Sequence, residues 1–96
     1  MRVTRRHDLV TLLALPVGAL ELTWRVRDAL EGRQIVFLLD LVQKKFHELL
    51  AHPGFGRGSL REINTKLGKL GLRLEMEVDP TMIEEVKRAI KAPYGM

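Results

Sequence analysis

Apolar residues recur at helical spacing in four stretches of this sequence and at every second position in a fifth. Leu60, Ile63, Leu67 and Leu70 form one stripe, and Gly71 stands just past it, where a helix that stops needs a left-handed residue. Met82, Ile83, Val86, Ala89 and Ile90 form another. Asp79-Pro80 opens that helix as N-cap and first helical residue, and Pro93 terminates it. Glu84 and Glu85 near its start and Lys87, Arg88 and Lys91 near its end suit the helix dipole. Phe46, Leu49 and Leu50 share one face of a short helix over 46–51. Thr23 reads as the N-cap of a helix from Trp24 to about Glu31, closed by Gly32. In it Trp24, Ala29 and Leu30 are expected to face inward, and Arg25 and Asp28, three apart, outward. The fifth stretch, Leu72 to Val78, alternates apolar and polar residues as a half-buried strand does. Its partner would be residues 10–15 or the same segment of a second molecule.

Two further apolar runs lack a clear period. Ile35-Val36-Phe37-Leu38-Leu39 must be core, with an irregular helical turn over 38–43 once polar residues follow at helical spacing. Leu9 to Leu15 is too short to settle between strand and helix, and Pro16 ends it. Residues 1–6 read as a basic arm.

Between the helices at 46–51 and 60–70 stands His52-Pro53-Gly54-Phe55-Gly56-Arg57-Gly58-Ser59-Leu60-Arg61-Glu62-Ile63. It reads as the turn of a helix-hairpin-helix: Pro53 stops the first helix, Gly54 and Gly56 supply permissive backbone, and Phe55 turns inward. Ser59 and Glu62, three apart, have the spacing of a capping box. A glycine-lined turn feeding a helix N-terminus is a good seat for a phosphate, because no side chain blocks the backbone N–H groups and the dipole favours an anion. A plain helix-turn-helix joint with no ligand is the competing reading.

Composition narrows the classes. With 96 residues, 46% of them hydrophobic and 29% charged, the chain is one small globular domain. Sixteen Lys and Arg against 12 Asp and Glu give a net charge of +4, which permits a nucleic-acid partner without requiring one. No cysteine is present, so disulfides and thiolate metal sites are excluded. The longest charge-free run, Leu9 to Leu20, falls short of the roughly 18 to 20 residues a membrane span needs. It follows Arg2, Arg5 and Arg6, and Val17-Gly18-Ala19 loosely imitates a signal cleavage site, but Asp8 and Pro16 argue against a leader. His7, His47 and His52 have no metal-ligand spacing, and Met76 and Met82 read as packing, so no cofactor or metal is expected.

From Pro16 to Met76 the residues resemble the C-terminal domain of the bacterial RNA polymerase alpha subunit. The carriers are Leu20-Glu21-Leu22-Thr23, Arg25, Asp40-Leu41-Val42-Gln43, Leu49-Leu50, Pro53, Gly56, Ser59-Leu60, Glu62-Ile63, and Leu70-Gly71-Leu72 with Leu74 and Met76. The resemblance implies an all-α fold, a compact bundle of four or five short helices containing the helix-hairpin-helix. Beyond it stand an added C-terminal helix and the strand candidate over 72–78. The implied division is an arm over 1–15, the domain over 16–78 and a helical extension over 79–96, as a free-standing relative or an excised piece.

The resemblance further implies binding to the minor groove of A/T-rich promoter DNA. The groove-reading arginine falls on Arg25, the hairpin glycine on Gly56, the phosphate-contacting serine on Ser59 and the nearby helix glutamate on Glu62. A narrowed A-tract groove concentrates negative potential, so one inserted arginine is favoured there. Two positions depart: Asp28 stands where the family carries an asparagine facing DNA, and Gly58 where it carries a lysine. Arg57, Arg61 and Lys66 are the cations at hand to replace that lysine. The acidic surface for sigma factor keeps Glu21 but has Gly18 and Ala19 where acids are expected. The implied partners are therefore double-stranded DNA and RNA polymerase or a transcription regulator, on the nucleoid in the cytoplasm; the alternating segment and the added helix, apart from the resemblance, suggest a homodimer through 72–91. A protein-interaction module that kept the fold and lost the DNA is the alternative; an enzyme is disfavoured, since 96 residues leave no room for a separate catalytic pocket.

Overall fold

The computed structural model describes residues 5–91, which form six α-helices and one 3₁₀ turn. In order these are α1 (Arg6–Leu13), the 3₁₀ turn (Val17–Leu20), α2 (Trp24–Glu31), α3 (Leu38–Val42), α4 (Phe46–Leu50), α5 (Arg57–Lys69) and α6 (Pro80–Lys91). Residues 1–4 and Pro93 lie outside the described residues. One core runs through all of it, from Val10 and Leu13 of α1, through Leu30, Leu38 and Leu41, to Leu60, Ile63 and Leu67 of α5 and Val86 of α6. Among the described residues no polar or charged side chain is buried.

The strongest periodicities hold. In α5, Leu60, Ile63 and Leu67 are buried and Leu70 is half-buried. The helix closes with Gly71 at φ +77°, while the N–H groups of Gly71 and Leu72 donate to the carbonyls of Gly68 and Leu67 at 3.0 and 2.9 Å. That is a Schellman stop, which glycine permits without steric cost. In α6, Asp79 caps from outside: its Oδ1 accepts the Met82 N–H at 2.8 Å.

The N-terminal segment departs from the expected arm. Residues 6–13 form a helix whose Val10 and Leu13 are three apart on one face and enter the core. This helix packs against α6, whose Met82 and Val86 are buried. Arg6 ties the pair at its edge, its Nε donating to Glu85 Oε1 at 2.7 Å and its Nη1 lying 3.6 Å from Asp79.

Leu72 to Val78 is not a strand. Leu72 and Leu74 are buried and Met76 and Val78 half-buried, so the alternation correctly marks an inner and an outer side. The backbone turns at Glu75, however, with φ +60°. Its N–H groups go to the ends of the neighbouring helices: Glu75 N donates to Lys44 O at 3.0 Å and Met76 N to Val42 O at 2.8 Å. The 72–78 segment, bonded to helix ends, and α6, packed on α1, are both used within one molecule. The extended pairing present among the described residues is an isolated antiparallel bridge between Pro16 and Phe37. It is flanked by Val17 N to Val36 O and Leu38 N to Leu15 O, both 2.8 Å.

Three side chains expected in the core are outside it. Trp24 is 69% exposed, because Val26 and Leu30, four apart, take the inner face of α2 and Trp24 falls on the opposite one. Phe46, at the first position of the five-residue α4, is 41% exposed, leaving Leu49 as that helix's buried anchor. Val36, within the run read as wholly core, is 40% exposed, since the bridge region alternates its side chains.

Candidate nucleic-acid interface

The turn between α4 and α5 is built as Gly54 suggests, while Gly56 does not need the backbone freedom expected of it. His52 N donates to Leu49 O and Phe55 N to His52 O, both at 3.2 Å, and Gly54 adopts φ +96°, which an L side chain rarely tolerates. Phe55 is buried beneath the turn and fixes it to the core. Gly56 then precedes α5 in an ordinary extended conformation, φ −111° and ψ −177°. A Cβ built on Gly56 or on Gly58 would meet nothing within 4 Å. Neither glycine is therefore required by backbone conformation or by crowding. What each does is leave main chain bare toward the outside.

The predicted Ser59–Glu62 capping box does not form. α5 begins at Arg57, so Ser59 already sits within its first turn, half-buried, and the helix has no side-chain cap. The N–H groups of Arg57, Gly58 and Ser59 have no intrahelical acceptor by position, and no acidic residue lies in that turn. The positive end of α5 is left open to an anion.

Glu62 is used elsewhere. Its Oε2 accepts the Thr23 backbone N–H at 2.5 Å and its Oε1 accepts the Thr23 hydroxyl at 3.2 Å. Thr23 is the N-cap of α2 but makes no cap bond with its own side chain, so the carboxylate of α5 supplies negative charge at the start of α2 instead. This contact spans 39 positions of sequence. Arg25 is two residues after Thr23, and Ser59 is one turn before Glu62; the clasp anchors the arginine-bearing turn of α2 to the first turns of α5.

α5 itself has two exposed flanks. At about 100° per residue, Ser59, Glu62, Lys66 and Lys69 fall on the flank toward α2 and the 3₁₀ turn, and Arg57, Arg61 and Asn64 on the flank toward α4. The cavities along the helix agree. Lys66 and Lys69 line one of about 160 Å³ with Ala19, Leu20 and Glu21. Arg57, Arg61, Asn64 and Thr65 line another of about 490 Å³ floored by Phe46 and Leu50. Lys66 is also about 10 Å along the helix axis from Ser59. Of the three cations at hand to replace the family's lysine, Arg57 and Arg61 thus lie on the α4 flank, and Lys66 stands two turns away beside Glu21.

On α2, Trp24, Asp28 and Arg25 share an outer arc of about 100°. Arg25 does not pair with Asp28: among the described residues, the ion pairs are those of Arg6. Its guanidinium instead lies over the Trp24 ring, with Cζ 5.9 Å from the ring centroid. Glu21 ends the 3₁₀ turn in the left-handed region at φ 58°, exposed. The carboxylates drawn below their ordinary range lie away from this surface. Glu48 is lowered first by the Lys45 N–H it accepts at 2.8 Å, and Asp79 first by the Met82 N–H and then by Arg6.

Trp24 is the residue sequence reasoning missed at this surface. Its signal was available, because Val26 and Leu30 already satisfy the inner face and leave position 24 opposite them.

Residues 4–69 match the family model of the C-terminal domain of the bacterial RNA polymerase alpha chain. The fold is similar to the solution structure of the C-terminal domain of the RNA polymerase alpha subunit from Helicobacter pylori, with a TM-score of 0.68 and 26% identity over 91% of this chain and 75% of that one. The family match begins within the first residues and takes in α1, further upstream than the motifs from Pro16 onward suggested. Helix-hairpin-helix, clasp and bare turn thus sit in a protein that belongs to the family of C-terminal domains of bacterial RNA polymerase alpha chains.

Proposed function

We propose that this transcription-related domain binds the minor groove of A/T-rich DNA, inserting Arg25 while the first turn of α5 holds a flanking phosphate. The observation that carries the reading is the clasp of Glu62 on Thr23, which ties the arginine-bearing turn to the uncapped helix start. Open main chain at Gly56 and Gly58 supports it, since backbone N–H groups fix register on DNA without reading bases. A narrow groove supplies the potential that favours one guanidinium. Glu21, exposed at the end of the 3₁₀ turn, is the contact proposed toward polymerase or a regulator on the nucleoid. The role is binding rather than catalysis.

Asp28 and Gly58 favour the second reading, a protein-interaction module without DNA. Asp28 shares the outer face of α2 with Arg25 and has no partner cation within ion-pair distance among the described residues. Its charge opposes phosphate. Fluorescence anisotropy of a dye-labelled A-tract duplex at low salt separates the two readings. Arg25→Ala is expected to weaken binding at least roughly tenfold and Asp28→Asn to strengthen it several-fold. Equal weak binding by wild type and both variants would favour the interaction module.

A further inference from the structure

We propose that Trp24 is a second DNA-contacting side chain, its indole packing against the deoxyribose wall of the groove beside the point where Arg25 enters. The inference rests on the DNA-binding reading and deepens it. Three observations carry it. Trp24 is 69% exposed, and neither the core nor a neighbouring helix uses it. It is placed beside Arg25 on one outer arc of α2, with the guanidinium 5.9 Å from its ring centroid. The residue before it, Thr23, is held by Glu62, so the ring's position relative to the open start of α5 is set by the same clasp.

The chemistry follows from what an indole can do there. The walls of a minor groove are sugar C–H edges, the apolar part of DNA, and a flat ring buries large area against them at small entropic cost. The contact carries no base code. It adds affinity and displaces no counterion, because the indole is uncharged.

Trp24 is the single tryptophan of the sequence, so its own fluorescence reports the contact. With the full chain and a dye-labelled A-tract duplex, anisotropy measures binding and acrylamide quenching of the indole measures its cover. Duplex is expected to cut the quenching constant at least twofold and shift emission to the blue. Trp24→Ala should weaken binding about tenfold with an unchanged salt slope. Arg25→Ala should lower that slope by about one. Trp24→Phe should recover part of the loss. Duplex binding with unchanged quenching, and a Trp24→Ala variant that binds like wild type, would overturn the proposal and leave the DNA reading standing. Loss of binding by Trp24→Ala together with a reduced slope would make Trp24 a support for Arg25 and overturn the direct contact. No binding by wild type overturns both.

Discussion

The two flanks of α5 are made from one helix, the α4 flank the more exposed of the two, and they are held in different ways. Toward α2, Glu62 reaches Thr23 with both carboxylate oxygens, and a polar contact sets the register of two elements far apart in sequence. Toward α4, Phe46 and Leu50 floor a cleft of about 490 Å³, and the helices meet there through apolar packing. Packing sets distance but tolerates small rotations, whereas a charged two-point clasp fixes orientation. A surface that must present an arginine and a row of N–H groups to one rigid ligand needs the second kind of joint. The α2 flank has it.

Damage to the core that both flanks share should erase the difference between them. Ile63 is fully buried, and Ile63→Ala should cost about 2–5 kcal/mol in urea unfolding and loosen both flanks together. A loss below about 1 kcal/mol would mean that α5 is not the common support.

Glu62→Ala should have the next largest effect, about 1 kcal/mol on stability, since it removes exposed hydrogen bonds to a charged group. Arg57→Ala, on the α4 flank, should stay within about 0.5 kcal/mol. Duplex affinity should fall further with Glu62→Ala than with Arg57→Ala if the clasp positions Arg25. The reverse order would move the interface to the other flank.

That division was only partly legible in the sequence. The apolar stripe of α5, the stop at Gly71 and the Asp79-Pro80 start of α6 were readable because period and cap are local properties. The partner of Glu62 was not. Ser59 and Glu62 have capping-box spacing, but the helix starts at Arg57 and the carboxylate finds a donor 39 positions away. Spacing alone cannot rank a local acceptor against a tertiary one. Leu72 to Val78 misled in a similar way, as an extended segment bonded to helix ends alternates its side chains just as a strand does. Phe46 matched a helical stripe while lying at the end of a helix too short to cover it.

Acid should act on the α4 side. Glu48 holds the Lys45 N–H at the start of α4 and titrates below the ordinary carboxylate range, so the folded state binds fewer protons than the unfolded one in that window. Stability then rises with pH there, and the contribution is lost as pH falls through the lowered value. Hydrogen-exchange protection of the Lys45 amide, relative to its intrinsic rate, is expected to fall on acidification in wild type and to be low at all pH values in Glu48→Ala. Protection independent of pH in wild type would mean that Glu48 does not hold the start of α4.

A smaller effect separates conformation from contact at the bare turn. Gly56→Ala adds a methyl to open space in a backbone conformation alanine accepts, so stability should change by only about a few tenths of a kcal/mol. Duplex affinity should drop several-fold, because the methyl stands where a phosphate would approach. Unchanged affinity would show that nothing approaches Gly56.

An amide chemical-shift map of the full chain, recorded during titration with an A-tract duplex, asks which flank meets DNA. The N–H signals of Trp24 and Arg25 are expected to move together with those of Gly56, Arg57, Gly58 and Ser59, at one saturating concentration. Shifts that gather instead around Phe46, Arg61 and Asn64, with Arg25 still, would contradict an interface built by the clasp.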